Sequence, residues 1–174
     1  MPAPKVFLSS TFLEFEEERR VLHRTVTRVL SIACEMAEYL TPQSENLEAD
    51  IRKCIDASDI IVLLLGLRYG SLKGDISWTR EEISYAIRKG KKIFPYSKKY
   101  QPGPRTLLDV DEYKQNALEE FVEYIKENVS PAIPTFSTTY TLIGLVVRDI
   151  VRKTQEFERD SYYNSFAQDE EGEL

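Results

Sequence analysis

The spacing of apolar positions changes several times along the chain, and each change marks an element. Residues 5–9 (KVFLS) are a short run rich in β-formers, and beyond Ser9-Ser10-Thr11 the apolar positions Phe15, Leu22, Val26, Val29 and Leu30 recur at a helical period. A strand leading into a helix is predicted. Thr11 and Glu14 have the capping-box spacing, in which each side chain satisfies an amide at the helix start. Residues 32–40, ending before Thr41-Pro42, predict a short second strand, and 47–57 a helix with Leu47, Ile51, Cys54 and Ile55 inward. The run at 60–65 (IIVLLL) is the strongest strand, because continuous branched apolar residues imply burial on both faces, as in a parallel sheet covered by helices.

Residues 66–76 predict a loop, 78–89 a helix closed by Gly90, and 91–96 (KKIFPY) another strand. Two prolines and a glycine make 98–105 a surface loop, and 109–128 is a helix with Leu118, Phe121, Val122 and Ile125 on one face. Pro131 and Pro134 break the chain before a last helix from about Ser137. Its apolar stripe at 142–151 is too wide for one contact, which predicts a second neighbour. The alternation is βαβ, so the expected fold is α/β: a mainly parallel sheet of about five strands flanked by helices, with a C-terminal helical extension. The expected organisation is one α/β domain over 1–136, with 137–174 a helix and acidic tail packed on it or on a partner.

A length of 174 residues, 42% hydrophobic and 30% charged, suits one domain with its own core. The apolar run at 60–66 is too short to span a membrane, and the first residues lack a signal-peptide layout, so a cytoplasmic protein without a membrane partner is expected. Cys34 and Cys54 have no CxxC spacing and are expected to be reduced and structural. Asp169, Glu170, Glu171 and Glu173 supply most of the formal charge of −6, which leaves no global field to recruit nucleic acid. Arg19, Arg20, Arg24 and Arg28 follow Glu16 to Glu18 at helical spacings, as on a solvated, ion-paired face. The single histidine, His23, argues against a metal site or a histidine relay.

In open parallel sheets ligands bind beyond the carboxyl ends of the strands. Ser9, Ser10 and Thr11 place hydroxyls and helix amides there, suited to a phosphate or sugar hydroxyl, although Thr11 could equally serve only as a cap. Arg68, Tyr69 and Gly70 follow the central strand and offer a cation, an aromatic face and a hinge, or an ordinary turn. In SWTREEISYA, residues 77–86, Glu82 lies at the edge of the sheet-facing stripe and Glu81 points away; Thr79 and Glu82 also have capping-box spacing. Trp78 stands beside them.

Three stretches, VFLSSTFLEFEEER, CIDASDIIVLLLGLRYGS and SWTREEISYAIRKGKKI, resemble the TIR-like domain of unknown function found at the N-terminus of NACHT-type and other STAND NTPases. The resemblance implies a flavodoxin-like, TIR-like sheet. More distantly, residues 77–86 are similar to the TIR helix that carries the glutamate of NAD-cleaving members, and to nucleoside 2-deoxyribosyltransferases with their nucleophilic glutamate. In both the glutamate falls on Glu82. The implied activity is cleavage of an N-glycosidic bond, with NAD as substrate and no cofactor or metal, in a defence or signalling setting. A nucleotide or dinucleotide ligand and either a homo-oligomer or a STAND-type NTPase partner are implied with it. Nicotinamide leaves from an already cationic ring, so one carboxylate suffices, whereas a neutral nucleobase leaves poorly without a second acid. A non-catalytic interaction module would keep the fold and need no carboxylate.

Overall fold

The computed structural model describes residues 4–37, 46–100 and 111–171, with side chains described up to residue 160. Five strands form one parallel sheet in the order β2-β1-β3-β6-β7: β1 is Val6–Ser10, β2 Cys34–Met36, β3 Ile60–Leu65, β6 Lys92–Lys98 and β7 Thr135–Phe136. A two-stranded hairpin, β4 (Leu72–Lys73) with β5 (Ile76–Ser77), is inserted after β3. The helices are α1 Glu16–Arg24, continued by a π-helical turn at Thr25–Val29, then α2 Leu47–Ala57, α3 Trp78–Arg88, α4 Glu112–Asn128 and α5 Thr139–Glu171. The mainly parallel α/β fold read from the sequence is the one observed.

The period-two alternation of β3 explains its apolar content. Ile60, Val62 and Leu64 pack on one side with Leu22 and Val26 of the first helix and Leu142, Val146 and Ile150 of α5. Ile61, Leu63 and Leu65 pack on the other with Ile51 and Ile55 of α2, Ile83 and Ala86 of α3, and Phe121 and Ile125 of α4. Every residue of β3 is buried. Because α1 and α2 lie on opposite faces, the winding reverses between β1 and β3. That reversal opens a crevice at the carboxyl ends of these strands, where doubly wound sheets bind ligands.

Several elements differ from expectation. The first helix begins at Glu16, with no side-chain cap, so Thr11 and Glu14 are not a capping box. The expected loop at 66–76 contains the β4–β5 hairpin, and the proline-flanked segment before α5 holds β7, which uses two residues to pair Thr135 with Ser97 and Phe136 with Lys98. So short a strand has too little sequence to show a period. The second strand is confined to Cys34–Met36; residues 38–40 of the predicted segment, 101–105 of the predicted loop and the last three residues of the acidic tail, 172–174, lie outside the described residues. The wide stripe of α5 finds its second neighbour within the chain, since Leu142, Val146 and Ile150 are buried against α1 and the sheet while Tyr140 remains exposed. The expected boundary at 136/137 falls between β7 and α5. Among the described residues, no helix is long and apolar enough to cross a membrane and no cluster could hold a metal ion. Cys34 and Cys54 are both free thiols.

Candidate active site

The site begins with one carboxylate. Ser77 caps α3, accepting a hydrogen bond from the Arg80 amide at 3.2 Å, and so frees Glu82 from the capping role that its spacing from Thr79 had left open. Glu82 instead lies 7% exposed against the end of β1 and accepts a hydrogen bond from Ser9 Oγ at 2.5 Å. The bond joins residues 73 apart in sequence and fixes one carboxylate oxygen to the sheet. Ser9 itself is 1% exposed, so it stands behind Glu82 and does not line the opening.

In front of Glu82 lies a cleft of about 520 Å³, within the usual range for a small-molecule site. Its walls include Ser10, Thr11, Arg68, Gly70 and Trp78 among the residues singled out by sequence. Tyr69 is absent from these walls: at 1% exposure it packs in the core with Leu65 and Phe121, because the turn after β3 sends alternate side chains outward and inward. Lys73 lies over the Trp78 ring, its Nζ 5.4 Å from the centroid, and pairs with Glu48 at 2.7 Å. Glu81 points away from the cleft, into an ion network with Arg52 at 2.9 Å.

Several participants were not legible in the sequence. Arg19 is not on a solvated face: it is 3% exposed, donates from Nη1 to Ser10 Oγ at 2.7 Å, and lines the cleft. Its charged neighbours in sequence suggested an exposed stripe, and only the inward turn of this helix face shows otherwise. Glu18 beside it is also buried and pairs with Lys98 of β6 at 2.5 Å. Glu14 reaches across the rim, accepting from the amides of Leu67 at 2.6 Å and Arg68 at 3.1 Å, from Thr11 Oγ1 at 3.1 Å and from Tyr100 Oη at 2.6 Å. Burial, and then the bond to Glu14, hold the Tyr100 hydroxyl protonated well above the ordinary tyrosine range. Lys114 enters from the first turn of α4, which Tyr113 ties to the hairpin by donating to the Asp75 carbonyl at 2.5 Å.

Residues 5–151 match the family described as a domain of unknown function, DUF4062. The chain belongs to this family. The match runs from β1 into α5, so the DUF4062 domain contains the whole cleft. No curated protein sequence matches this one. Among solved structures, the domain overlaps the CMP N-glycosidase BcmB of Clostridium botulinum at TM-score 0.47 and 15% identity, covering 82% of this chain and 97% of that one. It overlaps the 2-desoxiribosyltransferase of Leishmania mexicana at TM-score 0.42 and 15% identity, covering 71% and 98%. The overlap with the TIR domains of the activated Roq1 resistosome reaches TM-score 0.58 at 15% identity, covering 84% of this chain and 99% of that one. The DUF4062 domain thus has a TIR-like fold.

Proposed function

We propose that this domain cleaves an N-glycosidic bond, with NAD as the substrate and Glu82 as the group that stabilises the reacting ribosyl centre. The observation that carries the reading is a buried carboxylate, oriented by Ser9 Oγ at 2.5 Å, in the floor of a cleft beside Trp78. Among the described residues that line the cleft, Glu82 is the one carboxylate, and none is histidine. That suits a leaving group that needs no proton. The bond between ribose C1′ and the nicotinamide nitrogen breaks, its electron pair neutralises the pyridinium, and water adds to C1′ with release of one proton, giving ADP-ribose and nicotinamide. Glu82 would hold a ribose hydroxyl or face the oxocarbenium-like carbon, and Trp78 offers a flat surface for a ring. A neutral nucleobase would need a second acid, which is why the deoxyribosyltransferase-like reading ranks below this one.

The expected signalling or defence role beside a STAND-type NTPase belongs to the same proposal and rests on the three resembling stretches. A second reading, a TIR-like module that associates without catalysis, draws on the fold shared with the Roq1 TIR domains. Incubation of purified protein with NAD decides between them. Glu82→Gln should lower nicotinamide release at least about a hundredfold, and Ser9→Ala about tenfold through loss of one charge-assisted hydrogen bond. Wild-type turnover that survives in a folded Glu82→Gln variant would remove Glu82 from the reaction, and absence of turnover in wild type at every concentration would favour the module.

A further inference from the structure

We propose that the consecutive amides of Leu67 and Arg68, just beyond the carboxyl end of β3, form a backbone site for a carboxylate, and that Glu14 is its internal ligand, a positioning residue that holds two walls of the cleft together. Successive backbone N–H groups that converge make an anion-binding concavity. Here the Leu67 amide donates to Oε1 of Glu14 at 2.6 Å and the Arg68 amide to Oε2 at 3.1 Å, so neighbouring amides grip the two oxygens side by side. Hydroxyls complete the set, Tyr100 Oη donating to Oε1 at 2.6 Å and Thr11 Oγ1 to Oε2 at 3.1 Å. Each oxygen thus accepts one amide and one hydroxyl. Hydrogen bonds to an ionised acceptor are the strong kind, and these four come from three segments of the chain.

The room for this ligand is built into the opposite loop. The carboxylate lies where a Cβ on Gly66 would stand. Further along the same loop, Gly70 has a φ of +92°, and a Cβ there would lie 2.8 Å from Cγ2 of Thr11. The loop after β3 therefore sets a glycine against each of two side chains from the loop after β1, and the two loops mate as a pair. Thr11, Arg68 and Gly70 line the cleft, whereas Glu14 is not among its described lining residues. Glu14 acts through them: it fixes the backbone from which Arg68 departs and the hydroxyl of Thr11. These four bonds do not involve Ser9 or Glu82, so loss of the Glu14 carboxylate should reach ligand binding before bond breaking.

Truncation of Glu14 to Ala removes the atoms of one acetate ion, which makes acetate the probe. In the full chain carrying Glu14→Ala, sodium acetate at about 100 mM should raise the melting temperature by roughly 3 °C or more over sodium chloride at equal ionic strength. Wild type, with the site filled, should not respond. Adding Gly66→Ala to Glu14→Ala puts a methyl group into the same space and should abolish the response. Absence of a rise, a rise of equal size in wild type, or one that survives in the double variant overturns the site. Should Glu14→Ala unfold in both salts, Glu14→Gln tests the same contact: its amide nitrogen cannot accept, so hydrogen exchange at Leu67 or Arg68 should quicken about tenfold or more, and unchanged exchange at both overturns the site. The positioning role is read in turnover and there rests on the glycosidase reading. Glu14→Ala should raise the KM for NAD about tenfold with kcat changed less than about twofold, and acetate should lower KM again; an unchanged KM overturns the role. If the acetate response holds but wild type does not cleave NAD, the carboxylate site stands and the glycosidase reading falls.

Discussion

At the scale of single residues, Glu14 does more for the site than its position in a polar loop suggests. Its carboxylate occupies the space in which a side chain at Gly66 would sit, with both oxygens within 2.5 Å of a Cβ built there. A flexible side-chain end can usually move aside at little cost. This one cannot, because it also bonds two amides, Thr11 and Tyr100. Gly66→Ala should therefore cost about 2 kcal/mol in urea unfolding, the order expected when buried acceptors lose partners, and should displace Arg68 from the cleft wall. Glycine is required here by contact and not by backbone angle. A variant as stable as wild type would show that Glu14 has room to withdraw. Residue chemistry was only partly legible beforehand. The position of Glu82 on the sheet-facing edge followed from helical periodicity, but its partner Ser9 came from a strand 73 residues away. Likewise the buried state of Arg19 depends on which side of its helix meets the sheet rim, and the run of charges around it hides that side.

At the scale of elements, what the sequence displayed clearly were segments with enough residues to show a period: β3, α3, α4 and the strand Lys92–Lys98. Two-residue strands carry no such signal, so the hairpin and β7 stayed hidden within stretches that looked like loops. The docking of α5 was also not visible, since it depends on a polar contact inside an apolar stripe. Asp149, 5% exposed, accepts from Tyr96 Oη at 2.8 Å and from Arg148 Nε at 3.0 Å. Burial alone would raise this carboxyl, but the bonds from Arg148 and Tyr96 outweigh it and hold the group below the usual carboxylate range. Burial, and next the bond to Asp149, push the Tyr96 hydroxyl well above its ordinary range. The depressed Asp149 contributes stability above about pH 4 that is lost as pH falls through its folded value; the raised Tyr96 contributes stability that is present below about pH 10 and lost above it. Asp149→Ala should cost about 2 kcal/mol at neutral pH by leaving the buried Tyr96 hydroxyl without its acceptor. Asp149→Asn should flatten the acid limb of a melting-temperature profile. An unchanged acid limb would mean that other carboxylates set it.

At the scale of the whole molecule, Leu142, Val146 and Ile150 of the α5 stripe that suggested an assembly are spent inside the chain, while Tyr140 and Val151 of the same helix stay exposed and further exposed apolar residues lie at the cleft. Phe12 is 50% exposed and Leu13 76%, both at the mouth of the cleft, with Leu47 at 40% beside them. If association completes the site, that mouth is where it acts, and NAD loss per molecule should rise with protein concentration; Leu13→Asp should abolish the rise without unfolding the chain. Light scattering and turnover followed together across a dilution series check this, and turnover strictly proportional to concentration in a monomer rejects it. The reversal of winding between β1 and β3 has one more consequence, for the order in which the chain is made. Ser9 and Arg19 emerge from the ribosome first, Arg68 later, then Glu82, and Lys114 last, and the crevice that gathers them exists only once helices are packed on both faces of the sheet. A nascent chain therefore has no complete cleft until α4 has been synthesised and docked, because Lys114 in its first turn supplies part of the wall.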